Sequence, residues 1–165
     1  MKRLGLLRHA KSSWDSPGKS DFDRPLNKRG LRDAPRMGAL LAERGVNPTT
    51  VISSSALRAR TTAVLAGQAL GFAENDIRCT ENLYLASDRD MLAVLDDMAA
   101  NAAEVILVGH NPGITTLANR IANARIDNMP TAAFFYVDAD VEQWSDLSKR
   151  PGKLLFFAAP KKDLG

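Results

Sequence analysis

Two histidines and two arginines stand where short apolar runs end, and their types suit one kind of chemistry. The runs read Leu6-Leu7-Arg8-His9, Val108-Gly109-His110 and Ser53-Ser54-Ser55-Ala56-Leu57-Arg58, and the chain has no other histidine. A guanidinium offers a planar fork of donors matched to phosphoryl oxygens; an imidazole offers a nucleophilic nitrogen or a further donor. The nucleophile must be neutral on the attacking nitrogen, and an unperturbed pKa of about 6.5 leaves much of it so at pH 7. It must also be aimed, which a carbonyl does by accepting the proton of the other ring nitrogen. The four groups together fit a pocket for phosphoryl transfer to nitrogen. His9 is the expected nucleophile, and Arg8, Arg58 and His110 neutralise the oxygens of a loose transition state. Lys11, Ser12, Asn111 and Arg24 are further candidates for contact with phosphate or substrate.

Other chemistries find less support. Cys79 as a tyrosine-phosphatase nucleophile would want an arginine six positions on, where residue 85 is Leu, so it reads as a buried strand residue. Asp138 and Asp140 have no further ligand pattern around them, and the segment from Gly109 to Gly113 lacks the lysine and Ser/Thr of a phosphate loop. No metal and no cofactor is expected.

His9 and His110 lie 101 positions apart, so the fold must gather them. Candidate strands are 3–7, 50–53, 77–80, 105–108, 132–137 and 154–158, several of them continuous apolar runs of the kind buried on both faces. Between them run segments with helical periodicity. Met37, Leu40, Leu41 and Arg44 share a face that stops at Gly45; a second helix spans about 56–71. A third starts at Ser87 as N-cap, with Asp90 three residues on, and a shorter fourth follows Gly113. Strand and helix in alternation predict a three-layer α/β/α domain spanning 1–165, with a mostly parallel sheet of about six strands. Such sheets carry their sites at the carboxyl ends of the strands, where Arg8, His9, Arg58 and His110 stand.

With 165 residues, 45% of them apolar, the chain can bury a core without disulfides, and its single cysteine supplies none. The apolar stretch Leu4-Gly5-Leu6-Leu7 is too short for a signal peptide or membrane span, so a cytoplasmic protein with no membrane partner is expected. The net charge of +3 is unevenly placed: residues 1–36 hold ten Lys and Arg against four Asp, a balance of +6, leaving −3 for the rest. Aromatics make up only 6%, so the basic front suits a small anionic group better than a nucleic acid.

Leu6-Leu7-Arg8-His9-Ala10-Lys11-Ser12, Arg24-Pro25-Leu26-Asn27-Lys28-Arg29-Gly30, Ser53 to Ala59 and Val108 to Gly113, in this order, resemble the histidine phosphatase superfamily with its phosphoglycerate mutase-like fold, and within it the small SixA-type phosphohistidine phosphatases. The resemblance implies a phosphorylated His9, with Arg8, Arg58 and His110 completing the pocket. It departs at one place: Ala10 stands where the superfamily usually has glycine. Larger members place a Glu or Asp to protonate a departing alkoxide. Glu81 is the first candidate here, and Asp21 and Asp23 the second. An imidazole leaving group titrates near about 6.5 and manages with a poor acid. Members acting on sugar or inositol phosphates resemble this core with added lid segments, for which 165 residues leave little room. The expected substrate is therefore phosphohistidine on a signalling or phosphotransfer protein, acted on by a monomer. The alternatives are a phosphatase or mutase for a small phosphate ester and, from another class, a non-catalytic module for phosphorylated ligands or nucleic acid.

Overall fold

Six strands pair into one sheet in the computed structural model, which describes residues 1–15 and 17–165: β1 (Lys2–Arg8), β2 (Thr50–Ser54), β3 (Arg78–Thr80), β4 (Glu104–Gly109), β5 (Phe134–Ala139) and β6 (Lys153–Ala158). Their order is β3-β2-β4-β1-β5-β6. β3, β2, β4 and β1 pair in parallel; β5 is antiparallel to both β1 and β6, so five strands share a direction and one is reversed.

Alternation along the strands builds two cores, one on each face. Leu4, Leu6, Val105, Leu107, Phe135 and Val137 face α3 (Asp88–Met98) and α4 (Gly113–Ala122). Leu7, Ile106, Val108, Phe134 and Tyr136 face α1 (Lys28–Glu43) and α2 (Leu57–Ala69). The three expected layers are present, with a short α5 (Pro160–Asp163) at the end and no lid domain among the described residues.

Local chemistry sets the helix starts. Ser87 caps α3 by accepting from the Asp90 amide at 3.1 Å, and Asn27 caps α1 by accepting from the Gly30 amide at 2.9 Å. Helix α1 therefore begins well before Met37 and carries Pro35 in its interior. Its first turn sits on the chain just past His9, because a Cβ at Gly30 would lie 2.2 Å from the Lys11 carbonyl oxygen. Gly113 plays the same part for α4, where a Cβ would lie 1.9 Å from the carbonyl oxygen of Ala86.

The edges differ from expectation. β3 is an edge strand, and Cys79 on it is exposed rather than buried. The run 154–158 forms the opposite edge, with Leu154 and Leu155 partly in solvent, because nothing pairs beyond β6. The strand expected from 132 begins at Phe134: Ala132 has φ +61° and its amide points back to the Arg8 and His9 carbonyls at 3.1 Å each. Among the described residues no helix is long and apolar enough to cross a membrane.

Gly113→Ala is expected to lower stability by ~1–3 kcal/mol, the scale of overpacking against atoms that cannot yield. Urea unfolding with an unchanged m-value checks it.

Candidate active site

Strand order delivers the four residues to one place. β1 and β4 are neighbours with Arg8 opposite Gly109, so His9 and His110 leave the sheet side by side, their ring centroids 5.2 Å apart. The His9 amide donates to the Gly109 carbonyl at 3.1 Å. β2 lies on the other side of β4 and leads into α2, whose second residue is Arg58. Arg8, His9, Arg58 and His110 line one cavity of about 370 Å³, together with Lys11, Ser12, Arg24 and Asn111.

The His9 ring is aimed and neutral. Nδ1 lies 2.7 Å from the Ala10 carbonyl oxygen, which can only accept, so Nδ1 carries the proton and Nε2 the lone pair. The Ala10 amide donates to Thr62 Oγ1 at 2.9 Å, and that hydroxyl donates to the Arg58 carbonyl at 2.7 Å, tying the residue after His9 to α2. Burial pulls His9 down to about 4; Arg58, Arg8 and Arg24 push the same way, against the Ala10 hydrogen bond. Ala10 is fully buried beside Leu26, Ala34 and Ala132 and is not among the residues of positive φ, so the alanine is housed without backbone strain.

His110 is held by its far side. Its Nε2 lies 2.8 Å from Ser54 Oγ, which also accepts from the Ala56 amide at 3.2 Å. With Ser54 donating, the ring proton sits on Nδ1. Burial, then His9 and Arg58, lower His110 to about 3.

Three buried nitrogens have no hydrogen-bond partner among the described residues: Arg8 Nε, Arg58 Nε and His110 Nδ1. Buried donors are nearly always paired, and these three unpaired ones belong to residues that line one cavity, which suits the cavity to an oxyanion. The remaining edges of the cations are anchored: Arg8 Nη1 donates to the Met129 carbonyl at 2.8 Å, and Arg58 Nη1 and Nη2 donate to the carbonyl and carboxylate of Asp21 at 2.6 and 3.0 Å. Burial lowers the pKa of Arg8.

The carboxylate on the cavity wall is Asp21. The Tyr84 hydroxyl donates to it, Arg24 Nε donates at 3.0 Å, and with Arg58 they hold it down at about 2. Glu81 is different from expectation: it is exposed at the head of a turn (Glu81–Leu83) anchored by buried Leu83 and is not among the residues lining the cavity, where the chain brings Leu85 to the wall and Tyr84 to Asp21 instead. Asp23 is exposed and bonded to Ser20 at 3.0 Å. Of the expected contacts, Lys11 lines the wall with its side chain exposed, and Ser12 accepts from Arg24 Nη1 at 2.6 Å. Asn111 is engaged within the protein: its amide nitrogen donates to Asn128 at 2.5 Å, and its oxygen accepts from Thr115 at 2.6 Å. Sequence reasoning missed Ser54, Thr62, Tyr84, Trp14 and Leu85. Thr62, four residues after Arg58 and so on the same helix face, left a signal; the others did not.

The superfamily described as histidine phosphatase (branch 1) has a family profile that matches residues 4–84. A solved structure of the proposed phosphohistidine phosphatase SixA from Agrobacterium tumefaciens is 31% identical, covers 96% of this chain and 98% of its own, and superposes with a TM-score of 0.81. The chain belongs to the histidine phosphatase superfamily. A second structure, of the protein histidine phosphatase SixA complexed with tungstate, has the same fold at 21% identity and a TM-score of 0.80, covering 97% of this chain and 98% of that one. An uncharacterised chloroplastic protein of Arabidopsis thaliana is 33% identical over 76% of this chain, which spans only 61% of that relative's length. His110 lies beyond the matched residues, and the pairing of β1 with β4 brings it to the site.

Both histidines are expected to stay neutral down to about pH 5, which NMR titration of the imidazoles will show as midpoints far below 6.5. The folded values lie below the unfolded one, so between pH 7 and 5 the unfolded chain binds more protons and stability falls as pH falls. Urea unfolding that is flat over that window contradicts the assignment.

Proposed function

We propose that this chain is a phosphatase that works through a phosphorylated His9 and that its substrate is phosphohistidine on another protein. What carries the substrate reading is Asp21: the carboxylate that lines the cavity is held as an anion at about 2 and has no proton to give near pH 7. An alkoxide leaving from a phosphate ester needs such a proton, whereas imidazole, with a conjugate-acid pKa of about 6.5, does not.

His9 Nε2 attacks phosphorus as the bond from phosphorus to the substrate imidazole breaks. With the substrate ring protonated on its other nitrogen, the leaving group departs as neutral imidazole. Nδ1 of His9 keeps its proton and its bond to Ala10 throughout. Arg8, Arg58 and His110, which line the cavity and each keep an unpaired nitrogen, donate to the equatorial oxygens, where a loose transition state spreads its charge. Water then attacks phosphorus on His9; its oxygen and protons leave with the phosphate, and His9 returns neutral. The open cavity, with no lid domain over it, suits a phosphorylated side chain standing on a protein surface.

His9→Ala is expected to abolish turnover, and Arg58→Ala and His110→Ala each to cost on the order of a hundredfold in kcat, the scale for losing one charge-stabilising donor. Quenching a labelled reaction in alkali and mapping the label should find it on His9, stable in base and lost in acid. A His9→Ala enzyme of full activity rejects the mechanism. Cleavage of small phosphate esters far faster than of phosphohistidine protein rejects the substrate.

A further inference from the structure

The cavity is larger than a phosphoryl group needs. At about 30 Å³ per water it has room for roughly a dozen waters, against the four heavy atoms of the group. Its wall includes two apolar side chains that no step of the reaction uses, Trp14 and Leu85, which line it while 75% and 56% exposed. Solvent-facing apolar groups are ordinary singly, but two on the rim of one reactive cavity form a binding feature.

Both are held in place. The Arg24 guanidinium lies 3.6 Å from the Trp14 ring centroid and is itself buried and pinned by Ser12 and Asp21. Leu85 has φ +50°, a left-handed conformation that costs a leucine free energy and is retained where surrounding contacts impose it. Those contacts are the Tyr84 hydroxyl on Asp21 before it and the Ala86 carbonyl packed on Gly113 after it. The strain turns an apolar side chain outward onto the rim.

We propose that Trp14 and Leu85 determine specificity by clasping an apolar side chain adjacent to the phosphorylated residue of a polypeptide substrate. This rests on the phosphohistidine reading and narrows it to phosphohistidines with an apolar neighbour. Inorganic phosphate, or a small ester without such a neighbour, would leave the rim empty.

The test uses two synthetic peptides phosphorylated on histidine by phosphoramidate, one with leucine on both sides of it and one with serine. The wild-type protein is expected to prefer the leucine peptide about tenfold in kcat/KM, mostly through KM, the scale of partly burying one leucine. Trp14→Ser combined with Leu85→Asn should bring that ratio close to one, and each single change should remove part of it; asparagine tolerates the left-handed backbone. A wild-type ratio near one, or a ratio that survives in the double variant, overturns the proposal while leaving the phosphatase reading intact. Wild-type protein that cleaves p-nitrophenyl phosphate but neither peptide overturns both, and does so before any variant is made.

Discussion

Everything at the site depends on burying N–H donors and leaving them unpaired. An unpaired buried N–H costs ~1–3 kcal/mol, so three of them together are sustained only by a framework that does not relax to cover them. Each group is gripped on one edge and free on the other: Arg8 by Met129, Arg58 by Asp21, His110 by Ser54 and His9 by Ala10. The grips come from the end of β2, the chain just past β1, the turn at Asp21–Asp23 and the loop before β5, around a sheet that two cores press from both sides.

The same crowding decides protonation. Burial among guanidiniums removes charge from both imidazoles, and a neutral ring with its proton bonded to Ala10 is the state a nucleophile requires. Asp21 supplies the compensating charge at the mouth and, held by Tyr84, Arg24 and Arg58, stays ionised. One electrostatic arrangement thus keeps His9 Nε2 free of a proton and the carboxylate at the mouth ionised. A dianionic phosphoryl group binding there replaces water around donors that are already in position, which is where preorganisation lowers a barrier.

How far the sequence could be read follows from the range of each interaction. Alternating apolar runs announced the six strands, and Ser87 with Asp90 marked the start of α3, because pattern and cap are local. The edges were not legible: Leu154, Leu155 and Cys79 look like interior residues until the sheet order leaves their strands at its ends. Glu81 was reasonable by position, yet its side chain faces solvent while the turn it heads buries Leu83 and leads on to Tyr84 at Asp21 and Leu85 on the cavity wall. Asn111, beside His110 in sequence, is taken up by Asn128 and Thr115, a pairing no local rule foresees.

By itself the sequence determined the chemistry available: two imidazoles and two guanidiniums at strand ends, residue types that suit phosphoryl transfer to nitrogen and little else. Tertiary structure decided which nitrogens of these groups are unpaired, that His9 stays neutral and Asp21 anionic, and that Trp14 and Leu85 stand at the mouth. The reason is distance. Hydrogen-bond partners and pKa shifts depend on neighbours within a few ångströms in space, and here those neighbours come from segments as far apart in the chain as Arg8 and Met129.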